Sequence, residues 1–383
     1  MNLCIDASNI RLGGGVTHLV ELLNAADPNK HGINNVIVWG GKNTLAKLPE
    51  RSWLNKINPD VLNRGLLHRI LWQRFSLSRL ARDASCDVLF VPGGSYAGNF
   101  WPIVTMSQNL LPFEWAELRR YGCSFNTLKY FLLRYTQSSS FQNSDGVIFL
   151  TEYAKHSVQD VTGYLSSETV VIPHGLNFRF QINPKVQHPI ANYSDSNPFS
   201  LLYVSIIDQY KHQWHVVEAV HKLRQSGLPI ILNFVGPAYP PSLNRLQSAI
   251  NQYDPEKCWV KYYGSVPYEF LHDIYAQADL GIFASSCENM PIILLETMAA
   301  GLPVACSNRG PMPEVLGNAG LYFDPENPAT LSKTILDFIN SPLLRNEKAY
   351  SSFARSQQYS WSRCADQTFA FFSSIANKKR TKF

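Results

Sequence analysis

Two glutamates eight positions apart mark the segment of the sequence best suited to chemistry. Glu288 and Glu296 flank a loop and the start of an apolar run that favours a helix. Pro291 suits the first turn of that helix, because an N–H there has no intrahelical partner. Free amides and the helix dipole favour an anion such as a diphosphate at this position. The two carboxylates can accept hydrogen bonds from sugar hydroxyls, although a solvated loop with a helix cap would have a similar sequence.

A lysine early in the second half, Lys211, is the next candidate. It stands six positions beyond a predicted strand, Ser200–Ser205. Its ammonium group is a compact positive charge, which can stabilise the negative charge that develops on a leaving diphosphate. A solvated lysine that opens a helix is the alternative interpretation.

The first half contributes a glycine-rich loop and an amide. Gly13, Gly14 and Gly15 stand between the first predicted strand and the first predicted helix. Glycine lets the backbone come close to a ligand and open a helix toward it. Gln108 follows another predicted strand, Ile103–Met106. Because an amide does not titrate, Gln108 can hydrogen-bond a sugar hydroxyl but cannot act as a general base.

Short apolar strands that alternate with helical segments must position these residues. The predicted strands are Asn2–Asp6, Asn35–Trp39, Val88–Val91, Ile103–Met106, Gly146–Leu150 and Val170–Ile172 in the first half, and Ser200–Ser205, Ile230–Val235, Trp259–Tyr263, Leu280–Phe283, Pro303–Cys306 and Leu321–Phe323 in the second. Strands joined by helical crossovers imply parallel sheets. We therefore predict an α/β fold with two Rossmann-like, doubly wound domains facing a cleft, where the carboxyl ends of the strands bind ligands.

The domain boundaries follow from the length and from the prolines. A chain of 383 residues is too long for one ordinary core. Three X-Pro pairs between 183 and 198 disfavour helix and central strand, so this stretch reads as a linker. The predicted organisation is a Rossmann-like domain 1–180, a linker 181–198, a second Rossmann-like domain 199–360, and 361–383 as a helix that crosses back to the first domain and a basic tail.

The cysteines and the apolar runs predict a cytoplasmic protein. The seven cysteines are scattered and contain no Cys-x-x-Cys pair, so neither a zinc site nor a disulfide framework is expected. The N-terminus lacks the basic and apolar regions of a signal peptide. No apolar run reaches the roughly 18 residues that a transmembrane helix needs.

Positive charge is concentrated in the first half. The net charge is +5, and arginines alternate with aromatic and aliphatic residues within 64–134. This pattern predicts peripheral contact with an anionic membrane, on its inner face, or contact with an acceptor that carries a diphosphate. A pair of ordinary amphipathic helices with solvated arginines is the alternative. A nucleic-acid partner is not expected, because the chain as a whole is only mildly basic.

The glutamate segment and the run from Met298 to Val304 resemble the signature of glycosyltransferase family 4. The resemblance continues through 307–315 and 320–325, and it covers most of residues 200–340. Enzymes of this family are retaining and have the GT-B fold. The resemblance therefore implies a retaining hexosyltransferase that needs no metal and no cofactor, with a GDP- or UDP-linked sugar as donor substrate. It also implies that domain 1–180 lies on the acceptor side and that domain 199–360 binds the nucleotide sugar.

The resemblance also implies roles for individual residues. Glu288 is similar to the family glutamate near the transferred sugar, Glu296 to the one that holds the ribose hydroxyls, and Lys211 to the lysine on the diphosphate. Glu288 and Lys211 would thus be the catalytic pair. The other donor-binding residues that it implies are Asn289, Met290, Pro291, Ile292, Ser205, Gly14, Gly15 and Gln108.

Two positions depart from the family pattern. Ile206 stands where an arginine is usual, and Gln108 where a histidine is common. The segment from Gln108 to Phe113 is similar to a subset of the family that builds bacterial surface polysaccharides and often transfers mannose. His174, in a segment that resembles the hinge region, is expected to be structural.

The predicted function is transfer of a hexose from a nucleotide sugar to a hydroxyl of a glycan or lipid-linked glycan, in synthesis of a surface polysaccharide such as lipopolysaccharide. No pair of carboxylates suggests the nucleophile and acid of a glycosidase. A nucleotide-sugar 2-epimerase is one alternative, since it shares the architecture. A catalytically inactive sugar-binding or scaffold protein is the other, because of the two departures.

Overall fold

The computed structural model describes residues 1–11 and 13–380, and it divides into two compact units. The first comprises Met1–Leu118, Cys123–Gly175 and the chain from Tyr359 onward; the second comprises Arg119–Gly122 and Leu176–Gln358. The last two residues of the predicted basic tail, 381 and 382, lie outside the described residues. No helix in the described part of the chain is long and apolar enough to cross a bilayer.

A parallel sheet of seven strands forms the centre of the first unit. Its strands are β1 (Asn2–Ala7), β2 (Asn35–Gly40), β3 (Leu54–Ile57), β4 (Val88–Val91), β5 (Ile103–Met106), β6 (Gly146–Phe149) and β7 (Glu168–Val171), in the order β3-β2-β1-β4-β5-β6-β7. β4, β5 and β6 are fully buried, as continuous apolar strands covered on both faces should be. β3, which the sequence did not predict, is a half-exposed edge strand with the sequence Leu-Asn-Lys-Ile.

Helices cover this sheet on both sides. They are α1 (Gly14–Ala25), α2 (Lys42–Leu45), α3 (Leu66–Trp72), α4 (Ser78–Asp83), α5 (Trp115–Leu118), α6 (Phe125–Gln142), α7 (Glu152–Thr162) and the C-terminal helix α15 (Trp361–Arg380). A π-helical turn, Gln73–Leu77, joins α3 to α4. α15 packs against α1 and β4 and therefore completes the first unit.

The second unit repeats the arrangement with six parallel strands. They are β8 (Phe199–Val204), β9 (Ile230–Val235), β10 (Val260–Tyr262), β11 (Leu280–Phe283), β12 (Val304–Ser307) and β13 (Leu321–Phe323), in the order β10-β9-β8-β11-β12-β13. β9 and β10 lie on one side of β8, and β11, β12 and β13 lie on its other side. The boundary between β8 and β11 is therefore the topological switch point, where open α/β sheets bind ligands.

Two helices of the second unit, Met312–Leu316 and Pro342–Ser356, were not predicted from the sequence. The helices of this unit are α8 (Gln213–Gln225), α9 (Pro240–Tyr253), α10 (Leu271–Gln277), α11 (Ile292–Ala299), α12 (Met312–Leu316), α13 (Pro328–Asn340) and α14 (Pro342–Ser356). α14 has no apolar stripe, because the residues that it buries are Arg345, Ala349, Ser352 and Ser356.

The segment predicted as the linker, 181–198, is part of the second unit in the structure. The Ile182 N–H donates to the Ala299 carbonyl over 2.9 Å. Lys185 pairs with Asp279 at 2.8 Å. The fully buried Arg345 guanidinium donates to the His188 carbonyl. The segment contains a short 3-10 helix, Ile190–Asn192, and these bonds attach it to the domain that follows it.

Candidate functional site

The Lys211 ammonium donates to Glu288 Oε1 in the second unit. Lys211 ends a 3-10 turn that follows β8, and Glu288 lies in the loop that follows β11. The side chains are 4% and 15% exposed, respectively. Because β8 and β11 are neighbours, the ion pair lies at the carboxyl ends of the two strands that form the switch point.

Several hydrogen bonds fix the turn that carries Lys211. Asp208 Oδ1 accepts from the Gln209 N–H at 2.7 Å and from the Tyr121 hydroxyl at 3.0 Å. Burial raises the pKa of Asp208. The Tyr203 hydroxyl donates to the Lys211 carbonyl at 3.0 Å. The lysine backbone is therefore held from both ends of the turn.

Aromatic rings surround the Lys211 ammonium. Its Nζ lies 5.0 Å from the centroid of the Tyr210 ring and 5.3 Å from that of Phe283. Cation–π attraction grows when the cation is desolvated. The buried ammonium thus depends on these rings and on the Glu288 carboxylate for the stabilisation that water would otherwise provide.

The loop between β11 and α11 is anchored beside this turn. The Ser286 N–H donates to the Tyr210 carbonyl over 2.8 Å. Asn289 and Met290 are buried, and Pro291 immediately precedes Ile292, the first residue of α11. The helix begins one residue after the predicted proline position, and the Pro291 carbonyl accepts from the Leu295 N–H at 3.2 Å. The start of α11 therefore follows directly on the loop that holds Glu288.

Glu296 is buried inside α11 and has partners of its own. Its Oε2 accepts from the Tyr275 hydroxyl at 3.2 Å. Burial raises the pKa of Glu296 to about 7, while hydrogen bonds from Tyr275 and Tyr268 and the charge of Arg179 act in the opposite direction. This carboxyl therefore titrates near neutral pH.

Ser205 uses its hydroxyl within the second unit. The Ser205 Oγ donates to the Ile206 carbonyl at 3.0 Å and accepts from the Gln213 side chain at 2.9 Å. A Cβ at Gly236 would lie 2.1 Å from the Ser205 carbonyl oxygen, so glycine is required for this close approach. Ser205 thereby fixes the end of β8, on which the Lys211 turn depends.

In the first unit, the glycine loop stands above β1. Gly13 has φ 68° and immediately precedes α1, which begins at Gly14. A Cβ at Gly14 would meet nothing within 4 Å, whereas a Cβ at Gly15 would lie 2.9 Å from Gln108 Oε1. The structure thus brings Gly15 and Gln108 together, as two of the predicted donor-binding residues, and leaves open space beside Gly14.

Two buried histidines lie beneath Gln108. Its Nε2 is 3.4 Å from His18 Nδ1, and the ring centroids of His18 and His174 are 4.6 Å apart. Burial lowers the pKa of His18 to about 4 and the pKa of His174 well below its ordinary value. Both rings are therefore neutral at physiological pH, and His174 packs against Trp361 of α15.

Sequence reasoning missed Tyr121, Tyr275 and His18. Tyr121 contacts a residue 87 positions away, and no motif marks it. His18 lies four residues into the helix after the glycine loop, on its buried face. That position, one turn beyond the loop, was a usable signal. The part of the chain that the structure describes contains no cluster of three or more His, Cys, Asp or Glu placed to hold a metal.

A protein-family model matches most of the second unit. Residues 187–356 match the family model described as Glycosyl transferases group 1. O-antigen chain mannosyltransferase B of Escherichia coli is 37% identical over 110 residues, which are 29% of either chain. Serotype-specific mannosyltransferase WbdA, also of Escherichia coli, is 21% identical over 272 residues, 69% of this chain and 32% of that protein. This chain thus spans about a third of the length of these relatives. The predicted resemblance to family 4 and to bacterial surface-polysaccharide mannosyltransferases is confirmed.

Solved structures agree on the fold. Sucrose-phosphate synthase from Thermosynechococcus elongatus has a TM-score of 0.76 at 17% identity, with 98% of this chain and 99% of that chain covered. Anabaena HepE in complex with UDP has a TM-score of 0.70 at 16% identity, with 98% and 100% covered. WaaG, a glycosyltransferase involved in lipopolysaccharide biosynthesis, has a TM-score of 0.68 at 14% identity, with 97% and 99% covered. Together with the two parallel sheets, these neighbours confirm the predicted two-domain α/β fold of the GT-B class.

Proposed function

We propose that this chain, which carries a group 1 glycosyltransferase domain in residues 187–356, transfers a hexose from a nucleotide sugar to a hydroxyl of a glycan or lipid-linked glycan during synthesis of a bacterial surface polysaccharide. The observation that carries the proposal is the buried pair of Lys211 and Glu288 at the switch point of the second sheet. The desolvation cost of burying two charges can exceed their mutual attraction, so a pair at this position favours a role in ligand binding over a role in stability.

The donor diphosphate fits this place for two reasons. α11 begins directly after the Glu288 loop, and the N-terminus of a helix offers free amides and a positive dipole end to an anion. Lys211 adds a full positive charge from the neighbouring loop. On donor binding, the ammonium moves its hydrogen bond from Glu288 to a phosphate oxygen, and Glu288 becomes available to a sugar hydroxyl.

In the proposed reaction, Lys211 and the amides of α11 stabilise the departing nucleoside diphosphate. The bond between the anomeric carbon and the diphosphate oxygen breaks, and the acceptor hydroxyl forms its bond on the same face. The diphosphate oxygen takes the proton of that hydroxyl, so the configuration is retained and no metal is required. The protein contributes position and electrostatic stabilisation rather than a covalent intermediate.

The donor is a GDP- or UDP-linked hexose. Mannose is supported by the relatives named as mannosyltransferases, and UDP by neighbours solved with UDP or UDP-glucose. Glu296 is proposed to accept hydrogen bonds from the ribose hydroxyls, which a buried carboxyl with a pKa of about 7 does best once ionised.

A turnover assay tests the proposal. The chain is incubated with UDP- and GDP-hexoses, with and without a lipid-linked glycan acceptor extracted from bacterial membranes. Release of free nucleoside diphosphate that depends on acceptor is the expected result. An epimerised donor or free sugar without acceptor would instead identify an epimerase. Nucleotide binding without any product would identify an inactive sugar-binding protein.

A further inference from the structure

Helix α6 of the first unit carries most of its large apolar side chains on its exposed face rather than on its buried face. The residues that it buries most are Gln137, Ser140 and Phe141. Its exposed face carries large apolar side chains over the first three turns: Phe125, Leu128, Phe131, Leu132 and Tyr135. Phe125 is 80% exposed and Tyr135 is 76% exposed. The spacing of these residues puts them on one side of the helix, which is the side turned away from the core.

The segment from α3 into the π-helical turn repeats this pattern. Its exposed large apolar side chains are Leu66, Leu67, Ile70, Leu71 and Phe75. Trp72 and Leu77 point inward and belong to the core. Apolar residues of this segment therefore lie both in the core and on the exposed surface. The ten exposed side chains of this segment and of α6 are called the apolar surface below.

Both parts of the apolar surface are supported by the same loop, which follows β4. The Ala97 N–H donates to the Gln73 side chain at 2.9 Å, and the Tyr96 N–H donates to Ser140 Oγ at 2.8 Å. Arg74 from the first segment and Asn143 at the end of α6 line a common pocket of about 230 Å³. The two helices are therefore neighbours on the first unit.

The helical segments that carry the apolar surface bear basic charges. Residues 61–82 contain five arginines and no Asp or Glu, with Asp60 and Asp83 at their two ends, and residues 123–144 contain one arginine, one lysine and no Asp or Glu. Exposed among them are Arg64, Arg74, Arg79, Arg82 and Lys129. Exposed apolar side chains interspersed with cations match the interface of an anionic bilayer, where hydrocarbon lies beneath negative headgroups.

We propose that the apolar surface binds the first unit peripherally to an anionic membrane, with its apolar side chains in the headgroup boundary and its basic residues on lipid phosphates. A second copy of the chain fits less well, because a symmetric interface would place these cations against each other. The inference is independent of the transfer reaction, and a membrane-bound enzyme would meet a lipid-linked acceptor at its own surface.

Vesicle sedimentation of the full chain tests this inference. We expect binding to vesicles of mixed phosphatidylglycerol and phosphatidylcholine, weakening as salt is raised, and little binding to phosphatidylcholine alone. Two double variants, Leu67→Ser with Phe75→Ser and Leu128→Ser with Leu132→Ser, should each weaken binding by at least about tenfold. The matched control is Tyr164→Ser with Leu343→Ser, two exposed apolar residues elsewhere, which should bind like the parent chain.

Thermal unfolding and nucleotide binding accompany the assay, and both should be unchanged in all three variants because the substituted side chains are exposed. Equal vesicle binding by the surface variants and the control would overturn the inference. So would a concentration-dependent dimer, measured by light scattering without lipid, that the surface variants abolish. If the parent chain binds vesicles but shows no acceptor-dependent transfer, the result counts against the proposed reaction alone.

Discussion

The two units place different chemistry at the carboxyl ends of similar parallel sheets. In the second unit, the loops after β8 and β11 hold a buried ammonium and a carboxylate, Lys211 and Glu288. In the first, the segments after β1 and β5 hold glycines, Gln108 and the neutral His18. We infer that the second unit supplies the charge that a diphosphate needs, whereas the first supplies close approach and hydrogen bonds. Charge should therefore be essential in one unit and dispensable in the other.

The largest expected effect comes from removing either charge of the Lys211–Glu288 pair in the second unit. Lys211→Met and Glu288→Gln should each lower turnover at least about tenfold, because each removes stabilisation of the transition state. Lys211→Met should also lower the free energy of unfolding by about 3 kcal/mol, because it leaves a buried carboxylate unpaired. Turnover is measured as acceptor-dependent release of nucleoside diphosphate, and stability by urea unfolding.

The double variant is the control for this first prediction. With both charges removed, no unpaired charge remains, so the free energy of unfolding should recover most of the loss while turnover stays low. A double variant that regained turnover along with stability would show that the pair serves folding only.

The second prediction concerns Glu296 and pH. Its pKa is about 7 in the folded protein against an ordinary value of 4.5, so between these pH values the folded state binds more protons than the unfolded chain. Stability should therefore fall as pH rises from about 4.5 to about 7, by about 3 kcal/mol for this group. Glu296→Gln should remove that fall, which denaturant unfolding at a series of pH values would measure.

The affinity for nucleotide should rise over the pH range in which stability falls. If ribose hydroxyls donate to an ionised Glu296, the affinity for UDP or GDP should rise with pH through about 7 and become flat in Glu296→Gln. Calorimetric titration at several pH values measures this. A parent protein with pH-independent affinity would exclude the ribose role.

The third prediction tests the support of the Lys211 turn. Tyr121→Phe removes the hydroxyl that donates to the buried Asp208, at a cost of about 1 kcal/mol. We expect a several-fold rise in the KM for the donor, because the turn is less well fixed. Tyr193→Phe, which removes another tyrosine hydroxyl bonded to a buried aspartate of the second unit, Asp279, is the matched control. Equal KM values for the two variants would confine Tyr121 to a structural role.

The smallest effects are expected in the neutral site of the first unit. A methyl group at Gly15 would meet Gln108 Oε1 at 2.9 Å, whereas one at Gly14 would meet nothing within 4 Å. Gly15→Ala should therefore displace Gln108 and lower stability modestly. Gly14→Ala should leave stability unchanged. Donor affinity of this variant is measured by calorimetry, and a loss of affinity would show that the ligand comes close to the loop at Gly14. Unchanged affinity would remove Gly14 from the site.

The comparison also shows which features a sequence makes visible. The buried strands β4 and β11 match their predicted bounds because each is a continuous apolar run. β3 and α14 lack that signal, since one is an edge strand and the other buries small and polar residues. Local patterns thus predict elements only where burial is local and apolar.

The candidate site follows the same rule. Spacing and resemblance identified Lys211 and Glu288 separately, because each follows a strand end. Their direct hydrogen bond depends on the pairing of β8 with β11, which are far apart in sequence. The Tyr121 contact and the burial of Glu296 against Tyr275 also arise from packing, so no local pattern could predict them.

Binding of UDP and GDP to the parent chain and to the double variant Lys211→Met with Glu288→Gln, measured by titration calorimetry, tests the central claim most directly. We expect the paired charges at the switch point to hold the diphosphate. Whichever of UDP and GDP binds the parent chain more tightly should then bind the double variant at least about tenfold more weakly than the parent, a loss of roughly 1.4 kcal/mol. Equal affinity in a variant that remains folded would show that the diphosphate is held elsewhere.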